Sequence, residues 1–386
     1  MSSRPRHILP VIVLSQFAGG SLWFAGNAVL ADLPLSPQAI GPVTSAVQLG
    51  FIAGTLVFAF LAVSDVFSPR KVFFLCSLAG AAANAAVYVL GAELPFLLGS
   101  RFVTGFFLAG IYPVGMKIAA RWYQSDLGNA LGFLVGALAV GTAFPHLLKG
   151  LGRSLPWESV TLGVSLTAVL GGALMFALVP DGPYLRQKAV FDPRAFAAIF
   201  RSPEFRASSF GYFGHMWELY AFWAFVPLVL AARPELDVSL WTFAIIGAGG
   251  LGCALGGLAS LRLGSARVAY AQLAASGLCC LASPALFQAA TPVLLAFLLF
   301  WGIVVVGDSP QFSALNAANA PRELVGSGLT IANCIGFSIT IASLQLLNAA
   351  APRIGAQWIF LLLAPGPALG LIALRPLMAA RARNAA

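Results

Sequence analysis

Cut at its polar breaks, this sequence falls into twelve apolar runs, approximately 8–30, 40–63, 71–91, 95–118, 128–149, 158–179, 207–231, 239–261, 267–288, 292–315, 325–348 and 356–377. Runs of roughly 20 residues, wound as α-helix, match the thickness of bilayer hydrocarbon. Hydrocarbon accepts only a backbone that satisfies its own hydrogen bonds, so these runs read as helices. The fold class that follows is an all-α membrane protein with twelve transmembrane helices. Only 9% of residues are charged and the mean hydropathy is +0.89, whereas a soluble domain carries about 25% charged residues. The first run lacks a small-residue cleavage site and is expected to remain as the first transmembrane helix.

The least hydrophobic stretch, Pro180 to Arg206, holds Arg186, Lys188, Arg194, Arg201 and Arg206. It divides the chain into an N-terminal six-helix bundle, 1–179, a cytoplasmic linker, 180–206, and a C-terminal six-helix bundle, 207–386. Pro183 and Pro193 discourage a continuous helix there, and 195–200 is expected to form a short amphipathic turn at the bilayer surface. With both termini cytoplasmic, only Lys149, Arg153, Arg233 and Arg353 lie outside and Arg101 lies within a span. The remaining basic residues face the cytoplasm, as the positive-inside rule requires. The net charge of +9 therefore needs no nucleic acid to explain it. The expected setting is the bilayer of a bacterial plasma (inner) membrane, with the chain monomeric.

The two halves look like copies of one another. Gly105, Gly110 and Pro113 of the fourth span recur with the same offsets as Gly302, Gly307 and Pro310 of the tenth, 197 residues later. A parallel repeat of this kind is the signature of a class of secondary transporter. The five cysteines, Cys76, Cys253, Cys279, Cys280 and Cys334, fall within spans without zinc spacing and read as small packing residues. Neither a metal nor a cofactor is expected.

Polar side chains in hydrocarbon are costly, so each marks a protein-facing or water-facing position. In the first span Gln16, Gly20, Trp23 and Asn27 form one stripe at helical spacing; contact with a solute and hydrogen bonding between helices both fit it. The fourth span carries Arg101 and Tyr112. A buried guanidinium keeps its charge and must be paired, wetted or snorkelled to the surface. The seventh span places Tyr212, His215, Glu218 and Phe222 on one face, with Glu218 near the midplane. A carboxylate there can take up and release a proton according to the side to which its surroundings open, with His215 as relay or steadying partner. The tenth span adds Asp308 and Gln311, the eleventh Asn333. Asp308 reads as a proton or cation site, as a partner for a basic residue such as Arg101, or as a water-exposed residue at a kink where Pro310 frees a carbonyl. His146, near the outer end of the fifth span, reads as interfacial.

After the second span comes Leu61-Ala-Val-Ser-Asp65-Val-Phe-Ser-Pro-Arg70-Lys71. This resembles the pattern G-x-L-A-D-R-x-G-R-K found between helices 2 and 3 of the major facilitator superfamily, matched at Asp65, Arg70 and Lys71. The corresponding loop of the second half, Gly257-Leu-Ala-Ser-Leu-Arg262-Leu-Gly264-Ser-Ala-Arg267, keeps the glycines and arginine that the first lacks. The resemblance implies that Asp65, Arg70 and Arg262 act in gating at the cytoplasmic side. Arg101 is similar to that family's helix-4 arginine, which implies proton coupling or an anionic substrate. Gly128, Gly132, Gly136 and Gly141, followed by Pro145, are similar in part to its helix-5 antiporter motif. That smooth face is expected to meet Gly249, Gly252 and Gly256 of the eighth span.

Neither a nucleotide-binding loop nor a nucleophile with an adjacent base is visible, so an enzyme is not expected. The reading is a secondary active transporter moving a small solute by alternating access. Its expected cavity is lined by helices 1, 4, 7 and 10. Protons are its expected energy source, through Glu218, His215 and Asp308. Solute contacts are expected from Gln16, Trp23, Asn27, Arg101, Tyr112, Tyr212, Gln311 and Asn333. Two alternatives stand beside it: an organic or inorganic anion carrier using Arg101, and a proton-driven exporter of drugs or metabolites.

Overall fold

The computed structural model describes residues 5–123, 127–152, 155–184 and 198–383. Half of the expected turn at 195–200, residues 195–197, with Arg186, Lys188 and Arg194, lies outside the described residues. Among the described residues eleven helices are long and apolar enough to cross a membrane, and a bent pair at the N-terminus makes twelve when counted as one span. The chain is thus an all-α, multi-pass integral membrane protein.

By contacts the chain forms two compact units, Met1–Val190 with Asp237–Gly247, and Phe191–Leu236 with Ala248–Ala386. The first unit opens with α1 (Ile8–Gly20) and α2 (Ala25–Val29), followed by α3 (Ile40–Phe60), a short α4 (Val63–Val66) and α5 (Pro69–Leu90). It continues through α6 (Leu94–Leu108), α7 (Tyr112–Trp122), α8 (Leu127–Leu151) and α9 (Trp157–Leu178). The second contains α10 (Pro203–Leu230), most of α11 (Val238–Leu263), α12 (Ser265–Leu286), α13 (Thr291–Gly307), α14 (Ser309–Asn319), α15 (Val325–Ile354) and α16 (Pro365–Arg383).

The glycine-proline repeat marks a matched discontinuity. The fourth span, Leu94–Trp122, and the tenth, Thr291–Asn319, each run for 29 residues. Each is interrupted, one between α6 and α7 and the other at Asp308. Pro113 and Pro310 lie in the first turn of the second piece, where a missing N–H costs nothing. Pro310 therefore does not open a helix interior, as its position in the sequence suggests. The Val306 carbonyl before it receives the Cys253 thiol at 3.4 Å, so Cys253 makes a polar contact as well as packing.

The close helix contacts repeat as well. Gly50 and Gly54 of α3 lie against the Phe102 and Phe106 backbone of α6, and Gly105 of α6 lies against Val47 of α3, with no room for a Cβ at any of them. In the second unit Gly252 of α11 meets the Ile303 carbonyl of α13 just as tightly. Backbone approach without side chains is how helices associate where no hydrophobic force separates protein from solvent. Gly141 of α8 packs on the Phe17 backbone of α1, and Gly256 of α11 faces the Gly307 carbonyl of α13.

The lipid-facing surface is the converse of a soluble one. Leu162, Leu166, Leu170 and Leu174 form an exposed stripe down α9, and Leu251, Leu255 and Leu258 another on α11. In water such stripes would drive association. In a bilayer they face their natural solvent, and the polar side chains turn inward.

Candidate functional site

In the first unit the polar centre is Arg101, 1% exposed. Between α1 and α2 the chain turns through Ser21–Phe24 and bends by 50°. A bend of this size removes helix-capping partners from nearby carbonyls. Arg101 supplies them: its Nη2 donates to the carbonyls of Leu22 at 2.7 Å and Trp23 at 2.6 Å. Its Nη1 donates to Asn84 Oδ1 at 3.1 Å, and the Asn84 amide in turn donates to the Thr161 carbonyl and the Ser165 hydroxyl of α9. Gly26 leaves space for the arginine stem, whose Cδ lies 3.0 Å from where a Cβ would stand. The first span is therefore not the single helix that its hydropathy suggests, and the guanidinium neither snorkels nor lies open.

The rest of the first-span stripe is divided. Asn27 donates to Thr44 of α3 at 2.7 Å, and the Trp23 ring lies 5.0 Å from that of Phe51. Gln16 is fully buried against Gly115 of α7, with neither amide atom hydrogen-bonded among the described residues. Tyr112 is buried at the start of α7. Asp65 pairs with Lys117 of α7, while Arg70 donates to the Phe176 carbonyl and stacks over the Phe176 ring at 5.5 Å. The two residues thus tie the α4 turn and α5 to different neighbours rather than to each other. His146 is buried on α8.

In the second unit the polar centre is acidic. Glu218 of α10 is fully buried. Its Oε2 accepts from the Ser276 hydroxyl of α12 at 2.9 Å and from the Cys280 thiol at 3.5 Å. Trp301 of α13 donates its indole N–H to Ser276 Oγ at 3.0 Å. Glu218 Oε1 has no partner among the described residues. One turn earlier on α10, His215 Nδ1 stands 2.8 Å from Asp308 Oδ1 at the α13–α14 break, both side chains fully buried. His215 Nε2 and Asp308 Oδ2 have no hydrogen-bond partner among the described residues. Asp308 is thus matched by the histidine of its own unit.

Rings close over these groups. Phe222 lies 4.5 Å from Trp301, and Phe312 lies 5.8 Å from His215. Tyr212 donates to Asn333 at 3.2 Å, bringing two expected contacts together on α10 and α15. Gln311 is buried on α14, and Arg262 is exposed near the end of α11. Asn84, Ser276, Cys280 and Trp301 were not among the residues that the sequence singles out for chemistry. The only signals for them are an asparagine amid apolar sequence in the third span and a Ser-x-x-x-Cys pair at one-turn spacing in the ninth.

A carboxylate with one oxygen donor-rich and the other bare, beside a histidine-carboxylate pair, can hold or release a proton with little rearrangement. A guanidinium boxed by carbonyls cannot do so.

Comparison with known proteins gives three findings. A family model described as Major Facilitator Superfamily matches residues 8–344. The chain is similar in structure to the proton:xylose symporter XylE bound to 6-bromo-6-deoxy-D-glucose, with a TM-score of 0.74 and 13% identity over 95% of this chain and 94% of that one. It is also similar to the human organic anion transporter MFSD10 (TETRAN), with a TM-score of 0.68 and 17% identity over 96% of this chain and 99% of that one. No curated protein matches the sequence.

Proposed function

The chain belongs to the Major Facilitator Superfamily, whose members are transporters and not enzymes, and from that premise we propose that it couples the movement of a small solute to protons. Two six-helix bundles, 1–179 and 207–386, alternate access to the solute by rocking. The observation that carries the proton coupling is the buried acidic centre. Glu218 and Asp308 are fully buried, each keeps an oxygen without a hydrogen-bond partner among the described residues, and His215 is the basic group beside them. Leaving such oxygens bare costs free energy when the group is ionised, and proton uptake relieves that cost.

In this reading Glu218 carries the proton and the His215–Asp308 pair hands it on. Solute contacts come from Gln16, Asn27 and Tyr212 with Asn333, and Asp65, Arg70 and Arg262 act in gating. The anion-carrier reading, in which Arg101 holds the solute, has one observation in its favour: Arg101 Nε has no partner among the described residues. Against it, both terminal nitrogens already serve carbonyl and amide oxygens. An anion would have to displace them.

A thermal-shift screen of the purified protein against sugars, amino acids, carboxylates, inorganic anions and cationic drugs identifies the solute, since a ligand of the folded state raises its stability. Proteoliposomes with an imposed pH gradient then test the coupling. Wild type accumulates the solute, whereas Glu218→Gln exchanges it without accumulation. Undiminished uphill transport by Glu218→Gln would overturn the proposal, and loss of binding in Arg101→Lys alone would favour the anion carrier.

A further inference from the structure

The donor chain leading to Glu218 has a direction. An indole N–H donates and never accepts, while a hydroxyl has one proton and two lone pairs. Trp301 Nε1 donates to Ser276 Oγ at 3.0 Å. One lone pair of that oxygen is therefore used, and the single hydroxyl proton is free to point at the nearby Glu218 Oε2, 2.9 Å away. The Cys280 thiol approaches the same oxygen at 3.5 Å. Both donors crowd onto Oε2, and Oε1 has no partner among the described residues. The Trp301 ring is itself held by Phe222 at 4.5 Å, Phe360 at 5.4 Å and Phe297 at 5.5 Å, so its N–H has a fixed aim.

We propose that Trp301 is a positioning residue that sets the polarity of Ser276, so that Glu218 Oε2 is held as an acceptor and the proton is taken up and returned at Oε1. The inference rests on Glu218 being the proton carrier. The step is a simple transfer: an O–H bond forms at Oε1 with a proton from hydronium on one side of the membrane, and it breaks as the proton leaves by way of the His215–Asp308 pair to water on the other. Without the indole donor the Ser276 hydroxyl can turn and accept from a protonated carboxyl, an arrangement that the wild-type polarity disfavours.

The charged and titratable groups around Glu218 are few. His215 lies on α10 itself, Cys279 and Cys280 face it from α12, and Asp308 acts on it from the α13–α14 break. On the other helices packed against α10, Arg353 of α15 and Arg375 of α16 are exposed. None of these is altered by the variants that test the relay.

The test needs no solute. Infrared difference spectra of the purified full-length protein in lipid nanodiscs are recorded across a pH titration, and the carboxyl band absent from Glu218→Gln is assigned to Glu218. Ser276→Ala, which removes the donor to the ionised form, is expected to move the midpoint of that band to higher pH by roughly 1 unit. Trp301→Phe keeps the ring contacts and moves it in the same direction by less. Ser276→Thr restores the wild-type midpoint, and Phe297→Leu, which loosens the ring packing without touching the donors, leaves it in place.

A Glu218 midpoint unchanged in both Ser276→Ala and Trp301→Phe would overturn the relay while leaving the proton-carrier reading intact. A pH-difference spectrum that is the same in Glu218→Gln as in wild type would instead overturn the carrier reading itself. A shift in Phe297→Leu as large as that in Trp301→Phe would assign the effect to packing and reject the positioning role.

Discussion

In the first unit the first, third and sixth spans converge with the fourth on Arg101; in the second unit the seventh, ninth and tenth converge on Glu218. The first, third and fourth spans are the counterparts of the seventh, ninth and tenth in the repeat, and Glu218 falls 197 residues after Ser21, inside the break of the first span. One junction is filled by a guanidinium and the other by a carboxyl group, and the two are completed differently. Arg101 cannot give up its charge, and three acceptors take its terminal N–H groups. Glu218 and Asp308 can give up theirs, and each is left short of donors. Permanent matching suits a structural pin; incomplete matching suits a group that changes protonation state during a cycle.

The largest expected effect is on stability, and it separates the two junctions. Arg101→Met strips donors from the Leu22 and Trp23 carbonyls and from Asn84, all buried, and is expected to cost about 3 kcal/mol or more. Arg101→Lys, with one ammonium in place of a fork, should recover part of it. Glu218→Gln removes a buried charge and keeps the shape, so its thermal stability should equal or exceed that of wild type. Thermal unfolding of the three variants checks this. Destabilisation by Glu218→Gln as great as by Arg101→Met would erase the distinction between pin and carrier.

A smaller effect tests whether the two halves are packed alike. Gly54→Val forces α3 from α6, and Gly252→Val forces α11 from α13, because in each case the added side chain meets backbone. Each should cost roughly 1–3 kcal/mol, read by thermal unfolding in the same detergent. A marked inequality would show that one half tolerates separation at this contact and the other does not.

The smallest expected effect lies at the exposed polar rim of each unit. Asp32, just beyond α2, pairs with Lys149 of α8, both partly exposed. In the second unit Arg233 donates to the carbonyls of Phe287 and Ala289, and the Thr291 hydroxyl holds the exposed Glu235 carboxyl below its usual range. Asp32→Asn should change stability by less than about 1 kcal/mol, and less at high salt. An effect above that range, or one insensitive to salt, would make the rim pair a structural equal of Arg101.

The spans were legible because hydrocarbon imposes a length and a polarity that a single sequence displays. The repeat was legible for a similar reason: Gly110 and Pro113, with Gly307 and Pro310, mark breaks that glycine and proline alone announce. The partners of the buried charges were hidden. Arg101 is satisfied by backbone carbonyls at a bend in the first span, and nothing in Ser21-Leu22-Trp23-Phe24 signals that bend. Ser276 and Cys280 meet Glu218 from a helix that starts 47 residues after it, and Ser276 is one of many serines in apolar sequence. Spacing shows that a helix has a smooth face, whereas tertiary packing decides which neighbour uses it.

The central claim, that the acidic junction carries the proton and the basic one does not, is tested most directly by solute-driven proton movement. Proteoliposomes loaded with a pH-sensitive dye receive the solute that the stability screen identifies, with no pH gradient imposed. Wild type should change the internal pH as solute moves, Arg101→Lys should keep the same proton-to-solute ratio at whatever rate it retains, and Glu218→Gln should move solute with no change in pH. A proton signal that survives in Glu218→Gln and disappears in Arg101→Lys would contradict the account.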